Sequence, residues 1–92
     1  MPVARSIRII GHVQGVFFRE WTVKLANRLG VNGWVRNRND GSVEVYAAGE
    51  PEQLDEFVAE LREGSPASRV DDVSIEPAEL ERVAGFMRRS TL

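Results

Sequence analysis

Gly11-His12-Val13-Gln14-Gly15-Val16-Phe17-Phe18-Arg19 marks the place where the hydrophobic period of the chain changes. Upstream, Val3 to Ile10 alternates around Ile7 and Ile9, with Arg5, Ser6 and Arg8 between or beside them, the pattern of a strand with one buried face. Downstream, from about Phe18, Trp21, Leu25 and Leu29 recur at every fourth position with Thr22 and Ala26 alongside, and Gly30 offers a C-terminal stop. A period of two thus gives way to one of 3.6 across a segment punctuated by two glycines. Strand, glycine loop and helix in this order open a βαβ unit.

The remainder repeats that unit. Val31 to Arg36 reads as a second strand, and Ser42 to Ala48 as a third in which Val43, Val45 and Ala47 form the buried face. Asp40-Gly41 between them is a hairpin signal, since glycine takes up positive φ without steric cost. Glu50-Pro51 opens a second helix, with Leu54, Phe57, Val58 and Leu61 as its apolar stripe and Gly64 as its end. Val70, Val73 and Ile75 belong to a fourth strand, interrupted by Pro77, and Val83 to Arg88 is a short fifth segment carrying Phe86 and Met87. The order β-α-β-β-α-β predicts an α+β, ferredoxin-like sandwich, an antiparallel sheet with two helices on one face.

Ninety-two residues suit one domain, 1–92, because so short a chain cannot divide its apolar residues between two cores. With 42% hydrophobic and 28% charged residues the composition is that of a folded soluble protein. The absence of cysteine removes disulfides, thiolate nucleophiles and cysteine metal sites, and a small chain without such staples suits the cytoplasm. No apolar run approaches a membrane span, and the charged start does not read as a signal peptide. A monomer is the default expectation. The net charge is −2, but basic residues predominate in 1–46 and acidic ones in 47–92. An anionic ligand would therefore meet the first half, although a solvated surface of uneven charge has the same signature.

A strand-to-helix loop with glycines can turn successive N–H groups inward around a phosphate, and the helix that follows adds unpaired donors and its positive dipole end. The Gly-Lys-Ser/Thr ending of a nucleotide P-loop is missing, so a nucleoside triphosphate is not implied. Arg19 falls in the first helical turn, where a cation opposes the dipole unless an anion sits between them. Its planar fork could grip two phosphate oxygens. An ordinary turn with a surface arginine gives the same pattern, and the residues alone leave both readings open. His12 reads as a surface loop residue, and Phe17 and Phe18 as residues packed against the core.

The loop resembles the first signature of the acylphosphatases, Gly11-x-Val13-Gln14-Gly15-Val16-x-Phe18-Arg19. Gly33-Trp34-Val35-Arg36-Asn37, followed by Gly41, Val43 and Gly49, is similar to their second. The likeness covers nearly the whole chain, including Gly64-Ser65-Pro66 and Arg69-Val70-Asp71. It departs at the weakly patterned C-terminus, Phe86 to Leu92. The resemblance implies hydrolysis of small-molecule acyl phosphates to a carboxylate and inorganic phosphate, without metal or cofactor. It also implies that Arg19 binds the phosphate, that Asn37 orients the attacking water, and that the backbone of Gln14, Gly15, Val16, Phe17 and Phe18 forms the cradle. Read without the signature, Asn37 is more readily a turn residue bonding its own backbone, and the signature reverses that preference.

The residues suit a substrate that needs little help. One histidine, no cysteine and no acidic cluster near the loop leave no evident general base or nucleophile. A carboxylate leaving group, whose conjugate acid has a pKa of ~4, departs unprotonated. Two other readings remain. An RNA-binding module of this fold would need stacking aromatics on the open sheet face; only Trp34 and Tyr46 qualify, and the aromatic-rich motif is absent, so no nucleic-acid partner is expected. A non-catalytic domain that binds a small anion would carry the same loop, and intact Asn37 is the feature that favours turnover.

Overall fold

The computed structural model describes residues 1–91. Seven elements follow one another: β1 (Val3–His12), α1 (Phe18–Leu29), β2 (Asn32–Asn37), β3 (Val43–Gly49), α2 (Pro51–Glu63), β4 (Arg69–Ala78) and β5 (Phe86–Arg88). The sheet order is β4-β1-β3-β2-β5. The pairs β1–β3, β1–β4 and β2–β3 are antiparallel, and β5 joins β2 in parallel. The expected α+β, ferredoxin-like arrangement is present, with this short parallel edge added.

Alternation decides which face is covered. Ile7 and Ile9 of β1, Val35 of β2, Val43, Val45 and Ala47 of β3 and Val73 of β4 form one core with Phe18, Leu25 and Ala26 of α1 and Leu54, Phe57, Val58 and Leu61 of α2. Burying each of these larger side chains contributes about 1.5–3 kcal/mol. The intervening residues Ala4, Tyr46 and Ala48 make a second, smaller cluster on the opposite face, against Trp34, Ala78 and Val83.

The fourth and fifth strands differ from the sequence reading. Pro77 does not interrupt the fourth strand, which runs through it opposite Arg5. Because β4 is an edge strand, one missing N–H leaves the ladder on its other side intact. The fifth strand is shorter than Val83 to Arg88, because residues 79–84 are irregular and carry the chain from one sheet edge to the other. Tyr46 fixes this crossing: its hydroxyl donates to the Glu79 carbonyl (2.7 Å) and accepts from the Glu81 N–H (2.7 Å). Tyr46 is thereby buried, and Trp34 stacks on it while lying 4.8 and 4.7 Å from the guanidinium carbons of Arg36 and Arg89. The chain itself occupies both aromatics of the open face.

β1 also extends past Ile10 to His12, through a bulge at which its register against β4 slips between Ile10 and Gly11. Gly11 has φ 146°, and a Cβ there would collide with the Arg69 carbonyl oxygen. Glycine is what lets the strand pass this close to β4 and turn into the loop that follows.

Candidate active site

The loop ends on an unusual helix start. Phe17, at the N-cap of α1, has φ 61° and ψ 26° and no side chain caps the helix, whereas α2 begins with a reciprocal capping box between Glu50 and Gln53. Phe17 is the one non-glycine residue at positive φ among the described residues, and Gly15, two positions earlier, has φ 73°. Left-handed residues alternating in this way turn N–H groups toward a shared concavity. The first backbone bond of the helix runs from the Trp21 N–H to the Phe17 carbonyl at 3.1 Å, which leaves the preceding amides without an intrahelical acceptor. Uncapped donors at a helix start form a site for an anion.

A cleft of about 340 Å³ opens over these amides. Arg19 from α1, Asn37 from the end of β2, and Gln14, Gly15, Phe17 and Phe18 from the loop all line it. Residues far apart in sequence converge because the hairpin between β2 and β3 is fastened to the loop. The Gln14 side-chain amide donates to the carbonyls of Arg38 (2.8 Å) and Ser42 (2.9 Å). The hairpin is itself closed by Asp40, whose carboxylate accepts from the Ser42 hydroxyl (2.6 Å) and N–H (2.9 Å). Those two bonds hold the Asp40 carboxyl below its ordinary value.

Phe17 sits otherwise than the sequence suggested. Phe18 is in the core at 1% exposure, but Phe17 is not packed there; it is 81% exposed at the cleft. The left-handed backbone at Phe17 points its side chain away from the face that Phe18 and Thr22 bury. Val16 does not line the cleft, and its half-buried side chain packs on the core. His12 is exposed at the end of β1, apart from the cleft.

Arg19 keeps most of its donors free. Among the described residues its one hydrogen bond is a long contact from Nη1 to the Arg89 carbonyl (3.4 Å). Asn37 is more telling, because its Oδ1 is buried and has no hydrogen-bond partner among the described residues. A buried acceptor left unpaired costs about 1–3 kcal/mol, and one at the wall of a polar cleft is open to a donor from a ligand or from water.

Sequence reasoning missed Arg88 and Glu20, which also border the cleft. Arg88 arrives through the parallel pairing of β5 with β2, a contact without a local signal. It also missed the side chain of Gln14, which joins loop to hairpin. Among the described residues no three His, Cys, Asp or Glu side chains come together in a way that could hold a metal ion. No described helix is long and apolar enough to cross a membrane.

Behind the hairpin, Glu44 accepts from Arg36 Nε and Arg38 Nη1, each at 2.8 Å. Partial burial pushes the Glu44 carboxyl up, but the two arginine hydrogen bonds outweigh it and hold the group below its ordinary value of 4.5. A carboxyl depressed in the folded state contributes stability above its unfolded pKa and loses it as pH falls through the folded one. Glu44→Gln is therefore expected to cost about 1–2 kcal/mol at pH 7 and progressively less below about pH 4.5. Urea unfolding of both proteins across that range checks this; a constant difference down to acid pH would contradict it.

Comparison with known proteins places the chain. A family model for acylphosphatases matches residues 5–87. A relative from Rhizorhabdus wittichii named acylphosphatase is 50% identical over 90 residues, covering 98% of this chain and 91% of its own length. The structure of an acylphosphatase from Coxiella burnetii superposes with a TM-score of 0.92 at 36% identity, covering 96% of this chain and 93% of that one. One from Bacillus subtilis gives 0.91 at 38% identity, covering 97% and 99%. The chain belongs to the acylphosphatase family of hydrolases.

Proposed function

We propose that the cleft hydrolyses the carboxyl-phosphate bond of small acyl phosphates by direct attack of water on phosphorus. In this reading the amides of Gln14, Gly15, Val16, Phe17 and Phe18 and the guanidinium of Arg19 hold the phosphoryl oxygens. Asn37 Oδ1 accepts a hydrogen bond from the attacking water and sets it in line with the leaving carboxylate. The observation that carries the proposal is the unpartnered Asn37 Oδ1 beside an uncapped helix start. An anion-binding domain without turnover needs the second feature but not the first.

The chemistry asks for no more than these groups offer. Phosphoryl transfer depends mainly on positioning and on stabilising charge at the equatorial oxygens, which preorganised amides and an arginine provide. The carboxylate, with a conjugate acid of pKa ~4, leaves without protonation. As the phosphorus–oxygen bond to the carboxylate breaks and that to water forms, the water proton passes to a phosphate oxygen of the substrate. Asn37 has no proton-accepting capacity at neutral pH, and His12 stands away from the cleft. The unit we propose is a monomer.

The test is release of inorganic phosphate from acetyl phosphate with a chelator present, for the parent and for His12→Ala. Both are expected to turn over alike, with no ionisation near neutrality that disappears in the variant. Phosphate binding in calorimetry without any turnover would favour the anion-binding alternative.

A further inference from the structure

We infer that the Phe17 ring selects the acyl group, favouring acyl phosphates with an aromatic acid portion over acetyl phosphate. The inference rests on the hydrolytic reading above. Phe17 is the only aromatic among the exposed large hydrophobic side chains of the described residues. It holds a left-handed backbone, which glycine adopts freely and asparagine at low cost, but which costs a bulky residue about 1–2 kcal/mol. The ring packs into no core cluster that would offset this. An exposed, strained phenylalanine is thus not explained by the fold, and it stands on the wall of the cleft.

The cleft leaves room for such contact. At about 340 Å³ it is several times larger than a phosphoryl group. In-line displacement puts the acyl oxygen on the far side of phosphorus from the water at Asn37. The acyl group therefore extends away from the end of β2, and Phe17 borders the same cleft from the loop between β1 and α1. A planar acyl group can stack on the ring or meet its edge, whereas acetyl offers one methyl group. An aromatic pair of this kind accounts for about a three- to tenfold preference.

Benzoyl phosphate and acetyl phosphate distinguish the outcomes, measured with the parent, Phe17→Asn and Phe17→Tyr. Asparagine accepts the left-handed backbone without the ring; tyrosine keeps the ring. The ratio of kcat/KM for benzoyl over acetyl phosphate is expected to fall about three- to tenfold in Phe17→Asn, chiefly through KM for benzoyl phosphate, and to be restored in Phe17→Tyr. A change in loop shape would slow both substrates together and leave the ratio within about twofold, and that result overturns the inference. A parent inert on both substrates overturns the hydrolytic reading, and the inference with it.

Discussion

Arg19→Ala is expected to lower kcat/KM for acetyl phosphate by about a thousandfold or more while leaving the protein folded. The two effects separate because the side chain does little for the fold. Its one hydrogen bond among the described residues is the 3.4 Å contact to the Arg89 carbonyl, and its charge lies in the first turn of α1, where it works against the helix dipole. Without phosphate, the variant should therefore melt at the parent temperature or above it, by up to about 1 kcal/mol of added stability. In phosphate the order reverses, because only the parent gains stability from the bound anion. Arg19→Lys, which keeps the charge and loses the fork, is expected to fall between the two. Thermal melts with and without phosphate, beside initial rates, read all of this. An Arg19→Ala protein that still hydrolyses at the parent rate removes Arg19 from the site.

Asn37→Ala carries the second large effect, a loss of about a hundred- to a thousandfold that appears in kcat more than in KM. A residue that orients water acts on the attack rather than on phosphate binding, so stabilisation of the variant by phosphate should persist. Stability supplies an independent sign. Asn37 Oδ1 is buried without a partner among the described residues, so its removal relieves an unpaired acceptor instead of breaking a hydrogen bond within the protein. The variant should be at least as stable as the parent, an exchange of stability for function. A destabilised, active Asn37→Ala would return the residue to the role of a turn-former.

These expectations rest on features that were unequally legible in the sequence. The alternation of Ile7 with Ile9 and of Val43, Val45 and Ala47 is a local pattern, and the faces it assigns are those that the core uses. The glycine-bracketed loop and the helix stripe are local as well, so the placement of Arg19 at a helix start could be read directly. That Asn37 lines the same cleft came from the family resemblance, since nothing local ties β2 to the loop. What remained hidden depends on distant partners. The direction of Phe17 follows from a positive φ that its side chain disfavours, and hydrophobicity alone places it in the core. Arg88 reaches the cleft through a parallel pairing, and the path of residues 79–84 depends on the Tyr46 hydroxyl. Pro77 looked like an interruption because its cost depends on whether a strand is central or at an edge.

That position at the edge matters beyond the single chain. β4 is the long free margin of the sheet, ten residues against three in β5, and an unpaired margin of that length is a template for strand addition and aggregation. Here the template is spoiled along its length. Asp71, Asp72 and Glu76 place exposed negative charges along it, and Pro77 withholds one of the donors that an incoming strand would need. The bulge at Gly11 adds local twist to the neighbouring strand just where β4 begins. The proline that reads as a defect within a strand thus helps guard the sheet against self-association.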